Sequence, residues 1–302
     1  MKAIGKLFKI VGAAVVLMIV FFLFVMCTGN SENKGDSLGQ VENEQSESTS
    51  DGAETETAQK QEVTVDPIVI NKKKIKISVT GYDNSDNTLK FNFENETNKD
   101  VTISASAYSV NGIMVSDNMF DLSCDISKKR KANENLTVDT DFLNDRGITQ
   151  IRYFDIIFHA WDSDEYGDIL NTDVLRIVTN LYEDKVDKIN GTKLIKDKGV
   201  QVDYIGNEDD VYVFAIKNTN NEYIRVNADN ITVNDYTSSD WEMDAIDRYI
   251  FGKQTALMKL TVDDDFKEKN SITDVKKIEF KIKYNVKRGY KTKKTKLIKL
   301  KL

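Results

Sequence analysis

The densest set of groups able to do chemistry is Asp162-Ser163-Asp164-Glu165-Tyr166-Gly167-Asp168-Ile169, with Asp173 at the twelfth place. Oxygen donors at the first and third places, a glycine at the sixth and an aliphatic at the eighth outline a calcium loop, because a hard divalent cation collects carboxylate oxygens around a sharp turn. Several places depart from that outline. Tyr166 and Leu170 stand at ligand positions, and Asp173 replaces the bidentate glutamate. The weak metal candidates are therefore Asp162, Asp164, Asp168 and Asp173, and a solvated hairpin tip explains the same residues without a metal. His159 is the only histidine, so a histidine metal cluster or a nucleophile–histidine pair lacks its partners. Cys27 and Cys124 are the only cysteines and lie far apart, so no disulfide staples a domain. Cys124 reads as a small half-buried side chain. No cofactor and no enzymatic activity are expected.

A second charged set closes the chain. Lys287, Arg288, Lys291, Lys293 and Lys294 follow the last acidic residue, Glu279, and are candidates for contact with an anionic surface. Lysine on a terminal strand also blocks edge-to-edge pairing, which is the plainer reason for it. Nucleic acid is not an expected partner, since the whole chain carries a formal charge of −7 and no recognition motif.

These groups sit on a duplicated frame. Leu136-Thr137-Val138-Asp139 recurs as Leu260-Thr261-Val262-Asp263, Asp141-Phe142 as Asp265-Phe266, Ile148-Thr149 as Ile272-Thr273 and Val110-Asn111 as Val233-Asn234. What the fold needs should appear in both copies, and no residue set able to run a reaction does. Short runs alternate apolar and polar residues with a period of two, as half-buried strands do. Phe154, Ile156, Phe158 and Ala160 share one face, which leaves Asp155, Ile157, His159 and Trp161 outward. Ile278, Phe280, Ile282 and Tyr284 repeat the pattern, with Lys277, Glu279, Lys281 and Lys283 outward. Other strands are expected at 75–80, 88–94, 101–109, 133–140 and 173–179, matched by 200–205, 211–217, 223–233, 255–262 and 293–302. Asn111-Gly112 marks a two-residue hairpin. The runs 139–141 and 263–265 precede short helical turns, whose amide groups they would cap.

About seven strands per copy predict an all-β chain of two tandem immunoglobulin-like antiparallel sandwiches, 67–182 and 192–302, with a closed barrel as the structural alternative. The short connection predicts that the copies sit end to end. Ahead of them, Lys2, Lys6 and Lys9 precede an apolar run over 10–27, the layout of an export signal and near the minimum length of a spanning helix. Residues 1–27 are thus a signal or membrane anchor. Cys27 is a lipid-attachment candidate, but Met26 and Phe24 fit the acylation motif poorly, so a retained anchor is preferred. Residues 28–66 carry ten acidic residues against Lys34 and Lys60 and lack aromatics, the composition of a disordered, extended linker.

The series Leu89-Lys90-Phe91-Asn92-Phe93-Glu94-Asn95, Val110-Asn111-Gly112-Ile113-Met114-Val115, Lys131-Ala132-Asn133 and Phe158-His159-Ala160-Trp161-Asp162 resembles an uncharacterised immunoglobulin-like repeat of secreted, membrane-anchored or lipoprotein chains of Gram-positive bacteria. The likeness covers most of 75–179 and, more loosely, 200–302. It implies a sandwich fold and a place on the extracytoplasmic side of the membrane, and it carries no catalytic residues. The expectation is a tethered cell-surface protein that presents a binding surface to an envelope polymer, to a protein partner or weakly to itself. The alternative is a calcium-dependent or enzymatic extracellular module using loop 162–173.

Overall fold

A computed structural model describes residues 64–116, 121–238, 248–287, 289 and 291–302. The expected anchor with Cys27, the linker up to residue 63 and Arg288 lie outside the described residues. Among those described, no helix is long and apolar enough to cross a membrane.

The chain is mostly β-sheet, and its sheets pack as sandwiches. Strands β1 (Val69–Lys72), β2 (Ile75–Asp83), β3 (Thr88–Asn95) and β7 (Lys131–Thr137) form one antiparallel layer in that order. Facing it, β4 (Val101–Val110) pairs with β8 (Tyr153–Asp162). Short β5 (Ile113–Ser116) and β6 (Ser123–Ile126) lie along β4, with β9 (Asp168–Asn171) and β10 (Leu175–Val178) along β8. Ile77, Phe91, Phe93, Ile103, Ile156 and Phe158 fill the space between the layers.

The same succession returns in the second half. Strands β11 (Thr192–Asp197), β12 (Val200–Glu208), β13 (Val211–Asn218) and β17 (Thr255–Thr261) make one layer. The other has β14 (Ile224–Val233) and β18 (Lys277–Val286) at its centre, with β15 (Tyr236–Thr237), β16 (Arg248–Ile250), β19 (Lys293–Lys294) and β20 (Ile298–Lys301) along their free edges. Even the irregularities recur. A register shift at Val79/Gly81 returns at Tyr204/Gly206.

Local chemistry explains the turns. Asn111 and Gly112 adopt φ of +50° and +82°, and Asn234 and Asp235 +46° and +74°, the left-handed pair that closes a two-residue hairpin. Helix α1 (Thr140–Asp145) is capped by Asp139, whose carboxylate accepts from the Asp141 N–H at 2.9 Å. Helix α2 (Asp264–Lys269) is capped by Asp263, which accepts from Phe266 N–H at 2.6 Å. Each such cap contributes about 1 kcal/mol, which accounts for the repeated aspartates.

Three expectations are corrected. Asp155 and Ile157, read as outward and solvated, are only 1% and 4% exposed. The halves are not merely end to end: Ile113 of β5 pairs in parallel with Thr255 of β17, so the β4 layer runs on into the β17 layer as one sheet. Ala107, Met114 and Ile157 of the first half join the core of the second. An apolar outer face needed a cover, and the second half supplies it. The connection is pinned as well. Asp187 accepts from Asn111 Nδ2 at 2.9 Å and from Arg152 Nη2 at 2.7 Å. At the other end, Thr64 and Val65, placed by composition in the linker, already pair with Asn180 and Thr179.

Candidate functional site at the junction of the halves

The acidic loop resolves into two separate structures. Asp162 closes β8 and is buried. Its Oδ1 accepts from the Asp164 and Glu165 N–H groups at 3.0 and 3.1 Å, while Oδ2 accepts from Lys99 Nζ at 2.6 Å. Lys99 also reaches Glu165 at 2.7 Å. The Lys99 ammonium, with the Glu165 N–H, holds the Asp162 carboxyl below the usual carboxylate range. Asp168 belongs to β9, where its carboxylate meets His159 Nε2 at 2.7 Å. Asp164 and Asp173 are exposed, and Asp173 lines a different recess. The four candidates are thus not brought together, and among the described residues no three metal-binding side chains cluster. Where a calcium ion would sit, Lys99 already supplies the charge. Millimolar calcium, or a chelator, is therefore expected to leave the thermal midpoint of the protein unchanged. A calcium-dependent rise would restore the loop as a metal site.

The remaining reactive side chains have structural surroundings. His159 is half-buried, its ring centre 5.0 Å from that of Trp161. Burial, with Glu134 beside it, pushes the Cys124 thiol up to about 12, so it stays protonated and unreactive near neutral pH.

Among the described C-terminal cations, Lys287, Lys293 and Lys294 are divided among different partners. Lys287 pairs with Glu222 at 2.8 Å and Lys294 with Asp229 at 2.7 Å. Lys293 lies over the Tyr284 ring at 5.9 Å, and Lys291 is exposed. Strand β20 buries Ile298 and Leu300 while Lys299 and Lys301 face solvent, so the lysines line an edge strand.

The recess built from residues that differ between the halves lies at their junction, with a volume of about 350 Å³. Asp155 on β8 stands opposite Arg176 on β10 in register. The guanidinium grips it from two sides, Nε to Oδ1 at 2.9 Å and Nη2 to Oδ2 at 2.8 Å. Arg176 is itself placed over the Tyr153 ring at 4.3 Å and held by Asp184 at 3.0 Å. From the second half, Gln254 Nε2 donates to Asp155 Oδ2, a bond that crosses the junction. Gln254 Oε1 is buried with no partner. Val174, Glu222, Tyr223 and Lys287 complete the rim. Gly252 is required there, because a Cβ would overlap the Asn221 carbonyl oxygen.

In the second half, Glu279 stands where Asp155 does and takes lysine partners instead, Lys299 at 2.9 Å and Lys277 at 3.3 Å. The sequence held one signal for this site: the apolar Ile157 beside the carboxylate of Asp155 on an outward strand face, where solvent would favour the carboxylate but not the isoleucine. The arrangement offers a fixed carboxylate–guanidinium pair beside a buried, unpaired amide oxygen. Among the described residues it brings no nucleophile beside a base.

No family model matches the chain, and no curated protein does. Among solved structures it is similar to the Salmonella enterica SafA pilin in complex with the SafB chaperone, at 9% identity over 76% of this chain and 96% of that one, with a TM-score of 0.21. It is also similar to the CsuC–CsuE chaperone–tip adhesion subunit pre-assembly complex from the archaic chaperone-usher Csu pili of Acinetobacter baumannii, at 13% identity, 70% and 90% coverage and a TM-score of 0.23. Overlap of this extent leaves function to be argued from the chain's own residues.

Proposed function

We propose that the chain is a non-catalytic binding protein of the extracytoplasmic face of a Gram-positive membrane. Residues 1–27 tether it, 28–63 space it from the bilayer, and two tandem immunoglobulin-like domains, 64–182 and 192–302, present the junction recess to an envelope polymer or protein. One observation carries this reading. Asp162 and Asp168 of the acidic loop are taken up by Lys99 and His159 as structural partners, while the recess between the halves keeps a buried acceptor, Gln254 Oε1, without one. A ligand that donates an N–H or O–H would satisfy that oxygen, whose isolation otherwise costs about 1–3 kcal/mol.

The test uses the full chain in detergent micelles, immobilised and exposed separately to polymer and protein fractions of a Gram-positive envelope. Saturable retention is expected, and Asp173→Lys should reduce it, since Asp173 is an exposed rim residue. Retention absent from both fractions, or indifferent to the rim substitution, would remove the recess from consideration.

A further inference from the structure

A second cleft, of about 250 Å³, opens where Arg146, Arg248 and Lys259 come together, and among the described residues no acidic side chain lines it. Arg146 arrives from the end of α1 in the first half. Its guanidinium stacks 4.1 Å over the Phe142 ring, and Nη1 donates to the Phe142 carbonyl at 3.1 Å. Its nearest carboxylate, Asp145, is 3.8 Å away and mostly in water. The Arg146 Nε is buried with no partner. Lys259 projects from the exposed face of β17, and Arg248 lies on β16. Met114 and Tyr249 wall the space.

A cationic group this enclosed is normally paired, because removal from water is costly unless an opposite charge or hydrogen bonds replace the solvent. Burial indeed lowers the Arg146 pKa, and Asp145 only partly opposes that effect. The duplication sharpens the point. At an offset of 124, the places of Arg146, Arg248 and Lys259 are taken in the other copy by Asn270, Cys124 and Asn135. The fold therefore does not need three cations there; one junction acquired them.

We infer that this cleft binds a phosphate-type oxyanion. The planar guanidinium offers paired donors matched to such oxygens, and Lys259 adds a mobile point charge at the mouth. The volume is below the roughly 300–1,000 Å³ of pockets for drug-sized ligands, so the occupant is a single small anionic group, free or carried on a polymer. This site is separate from the recess at Asp155 and needs no ligand there.

Thermal unfolding and titration of the full chain in micelles decide it, with inorganic phosphate in one arm and poly(glycerol phosphate) in the other. Both are compared with chloride at equal ionic strength, which removes general screening. A saturable rise of the midpoint is expected, and Lys259→Glu should weaken binding by about tenfold or more, the worth of one charge-assisted hydrogen bond. Lys301→Glu makes the same charge change outside the cleft and should leave it intact. Saturation by both arms identifies a site for free phosphate; saturation by the polymer alone identifies a polymer-borne phosphate. No effect beyond chloride in either arm, or equal losses from Lys259→Glu and Lys301→Glu, overturns the inference.

Discussion

Asp155→Ala is expected to destabilise the protein by about 3 kcal/mol and to loosen the two halves from each other. Removing one partner of a buried ion pair typically costs about 3–5 kcal/mol, because the remaining charge is left without compensation. The lower end applies here, since the Arg176 side chain is 36% exposed and can turn toward water while keeping Asp184. Gln254 has no such escape. It is 2% exposed, and with Asp155 gone its Nε2 joins its Oε1 as an unpaired buried group. Adding Gln254→Leu should therefore recover part of the loss, about 1 kcal/mol, although each change alone removes the same bond. Calorimetry reads the coupling directly. The native chain should unfold its body in one transition, and Asp155→Ala should separate an earlier one. An unchanged midpoint with a single transition would mean that the pair does not hold the junction.

That junction marks the limit of what could be read from the residues alone. Helix caps at Asp139 and Asp263, the Asn111-Gly112 turn and the inward faces of β8 and β18 depend on neighbours a few positions away, so spacing reveals them. Lys99 and Asp162 are 63 positions apart, and Gln254 and Asp155 are 99 apart. Nothing local specifies either meeting. The strands β6, β9, β16 and β19 were also missed as separate elements, because two to four edge residues are too few to display a period. One long-range fact was nonetheless legible. Outward positions read Asp155, Ile157 and His159 in the first half but Glu279, Lys281 and Lys283 in the second. Only the first of these faces is apolar enough to gain from a cover, and among the described residues it has one. The charged face of the second half ends the stacking much as a capping repeat does. Asn95 and Asn218 carry a further message at an offset of 123. Each buries its amide and donates to backbone carbonyls of a neighbouring loop and strand end, so their recurrence reflects the fold's connections and not chemistry.

Phe158→Ala should be among the costliest single changes, about 4 kcal/mol, within the 3–5 kcal/mol typical of deleting a buried ring. Its ring meets Phe91 at 5.6 Å and Phe93 at 6.0 Å, both edge to face, and each such contact adds to the area term. The second half solves the same packing problem differently. At the place of Phe158 stands Ile282, Ile216 replaces Phe93, and the aromatic has moved two residues along β18 to Phe280, edge to face with Phe214 at 5.0 Å. Bulk is conserved across the facing layers while its position shifts. Phe158→Ile alone should then leave a gap, and Ile156→Phe alone should overpack by about 1–3 kcal/mol. Joined, they reproduce the arrangement of the second half, so the double variant should be more stable than the sum of the two losses predicts. Urea midpoints at constant m-value measure all three. Strict additivity would show that the two cores are not alternative packings of one frame, and that the aromatic sits where it does for a reason peculiar to each half.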